Sequence, residues 1–217
     1  MNIFFDLDGT LIDASIRIHQ LFEDLTGSHI SYDEYWKLKR MLFSNEEIVK
    51  SKFRYSNKQV IQFLDNWMIQ IEDEKYLKMD KLFPFTKETL ENFVKKNCNL
   101  YVITNRQKVA ATLNQLKLLD IMPFFQDIFI TEQKIKKIKL LELKITHFDP
   151  YDYLVSDDFL DIDEFNKHQI KTIAVLSGMG TREIFEKHIP HMITDNIESF
   201  YLALKDQPEG FLPKQNH

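Results

Sequence analysis

The sequence contains a single cysteine among its 217 residues, which excludes a disulfide bond within the chain. Because this residue, Cys98, begins an apolar stretch typical of a strand, we expect a buried structural thiol in a reducing compartment. No apolar run approaches the length that spans a bilayer. The first acidic residue comes at position 6, which leaves no room for a signal peptide. The sequence therefore predicts a cytoplasmic protein without a membrane partner.

Positive charge is not in excess. Lysine and arginine together number 28 against 33 aspartate and glutamate residues, which gives a formal net charge of −5 at pH 7. Proteins that bind nucleic acid or anionic lipid depend on a positive surface, so this balance favours neither partner. The 44% of hydrophobic residues is sufficient for a folded core, and the length allows one domain with a smaller insert.

Glycine is scarce, with five residues, and this limits the candidate phosphate-binding loops. The segment Ser177-Gly-Met-Gly-Thr181 has a suitable composition, but it lacks the lysine of an ATP-binding loop and the glycine spacing of a dinucleotide site. The seven histidines give no zinc-ligand spacing, and no serine, histidine and aspartate arrangement is evident. These patterns favour neither a nucleotide cofactor, nor zinc, nor a serine nucleophile.

Two acidic residues lie close together near the start of the chain. Residues 3–5 form an apolar run typical of a buried strand, and Asp6 and Asp8 follow it. Side chains alternate along an extended chain, so both carboxylates project to one side, and Gly9 allows the backbone to turn away. An ordinary turn is the alternative, since aspartate and glycine are common there. Because crowded carboxylates repel each other, we favour a site with a partner cation such as Mg²⁺.

The remaining sequence divides into a helical part and an alternating part. Residues 14–80 show helical spacing of apolar residues and no convincing strand, which predicts a small all-helical domain. In residues 81–205, by contrast, segments with the pattern of strands alternate with segments with the pattern of helices. This alternation predicts an α/β fold, a doubly wound parallel sheet completed by residues 1–13. Residues 206–217 are expected to form a flexible tail. We place the later strands of the sheet at residues 99–104, 127–130, 153–156, 171–176 and 191–193.

The segment Phe5-Asp-Leu-Asp-Gly-Thr-Leu-Ile-Asp13 resembles motif I of the haloacid dehalogenase superfamily, most closely that of its phosphatases. The resemblance implies that Asp6 is the nucleophile and Asp8 the general acid and base, with Mg²⁺ as the cofactor. Dehalogenase members lack an acid at the position of Asp8, so the resemblance favours a phosphatase.

Motifs II and III are matched less specifically. Tyr101-Val-Ile-Thr-Asn105 resembles motif II, which implies that the Thr104 hydroxyl, with Asn105 beside it, binds the substrate phosphate. Motif III is a lysine on the helix before the motif IV strand, a helix that we place at residues 133–144. Lys134 fits best by its distance from motif IV. The choice stays open among Lys134, Lys136, Lys137 and Lys139, and most of these must belong to a solvated basic face.

Motif IV is matched by Leu154-Val-Ser-Asp-Asp-Phe-Leu-Asp161, which comes just before a helix that we place at residues 161–168. The resemblance implies that Asp157 is a metal ligand and Asp161 a supporting acid. Ser156 stands where glycine is usual, and Asp158 offers a further carboxylate, so the second acidic residue of the site stays open between Asp158 and Asp161. The expected metal-site residues are therefore Asp6, Asp8, Asp157 and Asp161.

The resemblance implies a Mg²⁺-dependent phosphatase that hydrolyses a small phosphomonoester through an aspartyl-phosphate. The helical insert resembles the cap that follows motif I in this superfamily, and its residues Lys37, Arg40 and Arg54 are candidates for substrate contact. We expect a monomer or homodimer whose partner is a small phosphorylated metabolite. A phosphomutase of sugar phosphates and a non-catalytic module that binds a phosphorylated ligand are the alternatives.

Overall fold

The structure, a computed structural model, describes residues 1–145, 147–168 and 170–206. The chain divides into two compact units. Residues 1–13 and the chain from Leu82 onward form one, the core unit, and Ala14–Lys81 form the other, the helical unit. The boundary expected from sequence differs by one residue, at Lys81. Of the expected tail, all but Asp206 lies outside the described residues.

The described residues form eight strands and eleven helices, with one short 3-10 helix at Met122–Phe124. None of these helices is both long and apolar enough to cross a membrane. The strands are β1 (Asn2–Phe5), β2 (Ile12–Asp13), β3 (Lys81–Leu82), β4 (Asn99–Thr104), β5 (Asp127–Ile130), β6 (Tyr153–Ser156), β7 (Lys171–Val175) and β8 (Met192–Thr194). The helices are α1 (Ser15–Thr26), α2 (Tyr32–Arg40), α3 (Asn45–Phe53), α4 (Asn57–Gln70), α5 (Glu74–Leu77), α6 (Thr86–Lys95), α7 (Val109–Leu118), α8 (Lys137–Lys144), α9 (Phe159–Asn166), α10 (Arg182–His188) and α11 (Ile197–Lys205).

Six strands form one parallel sheet in the order β5-β4-β1-β6-β7-β8, and β2 and β3 form a separate two-stranded sheet. The chain builds outward from β1 through β4 to β5, then returns to the other side of β1 for β6, β7 and β8. The predicted α/β fold with a doubly wound parallel sheet is therefore confirmed. Ligands bind such sheets beyond the carboxyl ends of the strands where the order reverses, here beside β1.

The sheet is buried on both faces, which explains the continuous apolar run of β1. Ile3 and Phe5 pack on one face with Phe93 of α6, whereas Phe4 packs on the other with Phe165 of α9. A parallel sheet covered by helices on both sides requires this pattern. Cys98 is buried on the first face, as predicted from its apolar surroundings, and burial raises the pKa of its thiol to about 11.

The helical unit has a core of its own, built around Phe22, Tyr35 and Phe63. A serine caps the start of three of its helices, α2, α3 and α4. The hydroxyls of Ser44 and Ser56 each accept a hydrogen bond from the third backbone N–H that follows, and the serine backbone N–H donates to the side-chain oxygen of Glu47 or Gln59. A buried ion pair of Arg17 Nε with Asp80 Oδ1, 2.9 Å long, joins α1 to the end of the unit.

Two helices beside the site begin at different residues from those predicted. Helix α8 begins at Lys137, four residues later than expected, because Glu132 and Gln133 adopt left-handed backbone angles, φ +53° and +54°, that a helix does not allow. Helix α9 begins at Phe159, two residues earlier than expected, because the Asp158 side chain caps it by accepting a hydrogen bond from the Leu160 N–H at 2.9 Å.

Candidate active site

Three predicted site residues follow the carboxyl ends of neighbouring strands. In the sheet Phe5 of β1 lies level with Val102 of β4 and Val155 of β6. Asp6 comes directly after β1, and its N–H donates to the Val155 carbonyl at 2.9 Å. Thr104 is the last residue of β4, and Asp157 is the first residue after β6. The fold therefore brings Asp6 to the same edge of the sheet as two residues that lie 98 and 151 positions after it in the sequence.

One lysine, Lys137, lies between two buried acids at this edge. Its Nζ is 2.7 Å from Asp6 Oδ1 and 2.5 Å from Asp161 Oδ2, and its side chain is 3% exposed. The sequence favours Lys134, and the structure corrects this prediction, because the Lys134 side chain is 75% exposed and its Nζ pairs with Glu132 Oε2 at 2.8 Å. The later start of α8 is the physical reason.

A sequence signal for Lys137 existed in the apolar pattern of α8. Ile138 and Leu141 are the buried apolar residues of this helix, and Lys137 lies four positions before Leu141, so it shares the buried face. The other candidates lie on the surface, where Lys136 pairs with Glu164 and Lys139 with Glu142. Lys134 lies four positions before Ile138, so periodicity alone does not separate it from Lys137, whereas the observed start of α8 at Lys137 does.

The two acids of the motif IV loop have different partners. Asp161 Oδ2 accepts hydrogen bonds from Lys137 Nζ and from Ser156 Oγ, the latter at 2.7 Å. Asp158 caps α9, and its N–H donates to Ser156 Oγ at 3.1 Å. Asp161, predicted as a supporting acid among the metal-site residues, contacts Lys137 through Oδ2, and its part in metal binding stays a prediction. Ser156, at a position where glycine is usual, contributes a hydroxyl to this network.

Asp157 is enclosed by two glycine-containing turns. The Met179 N–H donates to its Oδ2 at 2.9 Å, and Ser177 Oγ donates to the Gly9 carbonyl at 2.7 Å. A Cβ atom at Gly178 would lie 1.8 Å from Asp157 Oδ2, and one at Gly9 would lie 2.2 Å from the same atom. The loop after β7, considered as a phosphate loop from its composition, therefore holds Asp157.

The carboxylates outnumber the cations in this buried region. Burial outweighs the attraction of Lys137 and raises the pKa of Asp6 to about 7. Burial, followed by the charge of Asp6, raises the pKa of Asp157 well above its usual value. Burial alone would lower the pKa of Lys137, but the charges of Asp161 and Asp6 outweigh it and raise that pKa. Three buried carboxylates and one buried ammonium leave an excess of negative charge that a divalent cation would offset.

The chemistry of the donors fits Mg²⁺, since the side chains around Asp6 and Asp157 that could bind an ion present oxygen atoms. Among the described residues, no three His, Cys, Asp or Glu side chains are grouped closely enough to enclose a metal ion by themselves. Mg²⁺ commonly binds one or two carboxylates and completes its shell with water and substrate phosphate. Asp6 and Asp157 meet that requirement.

Asp8 is held by an arginine that the sequence analysis did not identify as a site residue. Arg106 Nε donates to Asp8 Oδ2 at 2.9 Å, and Nη2 donates to Oδ1 at 2.6 Å. The third donor, Nη1, reaches Gln115 Oε1 at 2.7 Å. The available signal was the position of Arg106 directly after the motif II residues Thr104 and Asn105.

The motif II residues Thr104 and Asn105 accept hydrogen bonds from Thr131, in the loop after β5. Thr104 is 2% exposed at the end of β4, and its carbonyl accepts from the Thr131 N–H at 2.9 Å. Asn105 is exposed, and its Oδ1 accepts from Thr131 Oγ1 at 3.0 Å. Both predicted phosphate-binding residues thus lie at the same edge of the sheet as Asp6.

Comparison with known proteins identifies the family and agrees with the fold. The family model of the haloacid dehalogenase-like hydrolases matches residues 3–175, so the chain belongs to this family of enzymes. The family recognised from motif I is therefore confirmed. The pyrophosphatase PpaX of Oceanobacillus iheyensis is 24% identical over 217 residues, which covers 94% of this chain and 96% of that protein.

Solved structures share the fold. A haloacid dehalogenase-like hydrolase from Streptococcus pneumoniae superposes with a TM-score of 0.74 at 22% identity, covering 93% of this chain and 97% of that one. The haloacid dehalogenase-type protein YfnB from Bacillus subtilis, solved bound to magnesium, superposes with a TM-score of 0.65 at 17% identity, covering 94% and 97%. At these identities the similarity establishes the fold alone.

Proposed function

We propose that this hydrolase is a Mg²⁺-dependent phosphatase that cleaves a small phosphomonoester through an aspartyl-phosphate on Asp6. The observation that carries the proposal is the contact of Lys137 Nζ with Asp6 Oδ1 at the carboxyl end of β1. The buried ammonium of Lys137 favours the ionised form of Asp6, which offsets part of the effect of burial on that pKa, and it offers a positive charge to the oxygens of an approaching phosphoryl group. The name of the PpaX relative, a pyrophosphatase, supports hydrolysis of phosphoryl compounds.

The proposed reaction has two displacements at phosphorus. An oxygen of Asp6 bonds to phosphorus as the bond to the leaving oxygen breaks, and Asp8 gives that oxygen a proton. Water then attacks the aspartyl-phosphate and gives a proton to Asp8 as the bond between Asp6 and phosphorus breaks, which releases phosphate. Lys137 and the Thr104 hydroxyl offset the negative charge on the phosphoryl oxygens, and Asn105 lies beside them.

Mg²⁺ would be held by Asp6, Asp157 and the backbone carbonyl of Asp8. When bound, it would neutralise charge on the phosphoryl oxygens. The excess of buried carboxylates over ammonium groups supports this assignment. The magnesium in the structure of YfnB supports the choice of ion. We also propose that the helical unit is a cap that selects the substrate, in the small phosphorylated metabolite class.

Removal of Mg²⁺ is expected to stop phosphate release. Exhaustive chelation should reduce turnover by about 100-fold or more, because the buried carboxylates then repel the phosphate. The measurement is phosphate release from a generic aryl phosphate, pyrophosphate and a panel of phosphorylated metabolites, before chelation, after it, and after Mg²⁺ is restored. Turnover that survives chelation would contradict the metal assignment, and no phosphate release from any substrate would contradict the proposed function.

Gly178→Ala is expected to weaken Mg²⁺ binding by about 10- to 100-fold, which is typical when a group that orients a metal ligand is lost. The new Cβ would displace the Asp157 carboxylate and break its hydrogen bond to the Met179 N–H. Mg²⁺ titrations of both activity and thermal stability measure the effect. Gly27→Ala in the helical unit is the control. It has open space but a left-handed φ of +62°, so it should lower stability without changing the Mg²⁺ dependence. Equal Mg²⁺ affinity in Gly178→Ala and the wild type would contradict the role of this loop.

A further inference from the structure

We propose that Arg106 is a positioning residue that fixes the orientation of the Asp8 carboxylate for proton transfer, and that Gln115 in turn fixes Arg106. The inference rests on the proposed function, because it concerns the residue that moves protons in that reaction. It adds two residues, one directly after motif II and one on α7, to those that the resemblance implies.

The contact between Arg106 and Asp8 is made at two points. Nε reaches Oδ2 at 2.9 Å and Nη2 reaches Oδ1 at 2.6 Å, the paired arrangement in which a guanidinium and a carboxylate share one plane. A single hydrogen bond would leave the carboxylate free to rotate about the bond that joins it to Cβ. Two parallel bonds fix that rotation, so the pair sets a direction as well as a distance.

Burial makes the arginine a rigid support. The Arg106 side chain is 2% exposed, whereas that of Asp8 is 31% exposed. A guanidinium in such surroundings must have its donors satisfied, and Gln115, which is 6% exposed, accepts the bond from Nη1 at 2.7 Å. Asp8 is thus held by a buried residue, Arg106, while part of its own carboxylate stays accessible.

The contact with Arg106 still allows Asp8 to transfer protons. The Asp8 side chain is 31% exposed, so part of its carboxylate stays accessible to the leaving oxygen and to water while Arg106 contacts both of its oxygens. Proton transfer depends on alignment of the donor and acceptor, and displacement of a catalytic group by about 1 Å can reduce a rate by about 100-fold.

A double-mutant cycle tests the inference. Arg106→Lys keeps the positive charge but cannot form the paired contact, so it should lower kcat for an alkyl phosphate by about 10- to 100-fold with little change in KM. The same substitution in an Asp8→Asn background should lower the remaining rate less than about 2-fold, because the group it orients is gone. Gln115→Ala, which removes the acceptor of the Nη1 bond, should show a smaller loss with the same coupling. Arg182→Lys, at an exposed arginine of α10, is the control and should match the wild type.

Three results would overturn the inference in an active enzyme: unchanged kcat in Arg106→Lys, an equal loss in both backgrounds, or a rise in KM alone. An equal loss would mean that Arg106 supports the fold in general, and a rise in KM alone would mean that it binds substrate. If thermal unfolding shows that Arg106→Lys does not fold, the double-mutant cycle with Gln115→Ala and Asp8→Asn tests the inference by the same criteria. A wild type without phosphatase activity would contradict the proposed function itself, and this inference with it.

Discussion

Asp6→Asn should abolish turnover, with a loss of about 10⁴-fold or more, because an amide oxygen cannot replace the carboxylate as the attacking group. The substitution keeps the shape of the side chain. Lys137 retains its contact with Asp161, so the site should stay folded. Removing one of three buried carboxylates also reduces the repulsion that raises the pKa of Asp157. We therefore expect the loss of activity without a loss of thermal stability.

The measurement is steady-state phosphate release with saturating Mg²⁺, together with thermal unfolding. Asp65→Asn makes the same change at an exposed position of the helical unit and should keep the wild-type rate. Turnover in Asp6→Asn within about 10-fold of the wild type would contradict a nucleophilic role. Loss of one electrostatic contact in an active site already costs about 100-fold or more, and loss of the nucleophile should cost at least as much.

Lys137→Ala should have the second largest effect, a fall in kcat of about 100- to 1,000-fold, because it removes the buried positive charge that faces the phosphoryl group. It also leaves Asp6 and Asp161 without their shared cation. Breaking a buried ion pair in this way commonly destabilises a protein by about 3–5 kcal/mol. Lys137→Met, which retains most of the side-chain volume, limits the added cost of a cavity.

Lys134→Ala is the matched control, since this lysine lies in the same segment and its side chain is largely exposed. It should leave both kcat and the unfolding temperature close to the wild type. Rates are compared at a temperature at which each variant is folded. A large loss in Lys134→Ala together with an active Lys137→Met would show that the lysine of the site is Lys134 after all.

The sheet could be predicted from the sequence because its strands are buried on both faces and their apolar runs are bounded by polar residues. The predicted strands at residues 99–104, 127–130 and 153–156 have the observed bounds. The position of Asp6 and Asp157 at the ends of adjacent strands follows from the same pattern, since parallel strands bring their carboxyl ends to one edge.

The lysine could not be placed by counting along the chain, because the turn before α8 uses left-handed angles at a glutamate and a glutamine. Left-handed angles are usual for glycine or asparagine, so neither Glu132 nor Gln133 marks the turn in the sequence. The contact between the pair Asp8 and Arg106 could not be predicted from a single sequence either. Its members lie 98 positions apart, and no periodicity relates them.

The sequence leaves the second acid of motif IV open because Asp158 and Asp161 both offer a carboxylate, and the observed start of α9 separates the contacts of the two. With the helix beginning at Phe159, Asp161 falls in its first turn and reaches Lys137, whereas Asp158 is occupied as the cap. Ser156 departs from the glycine usual in the motif, yet its hydroxyl donates to Asp161 Oδ2. The departure therefore adds a hydrogen bond to the site.

The account depends most on covalent attack by Asp6, and the mass of the intact protein after acid quenching tests it most directly. Asp8→Asn retains the nucleophile but lacks the base that activates water. Mixed with an activated aryl phosphate and Mg²⁺, it should accumulate an aspartyl-phosphate. The account predicts a mass increase of one phosphoryl group in Asp8→Asn and none in the double variant with Asp6→Asn. A phosphoryl adduct that persists on another residue when Asp6 is replaced would contradict it.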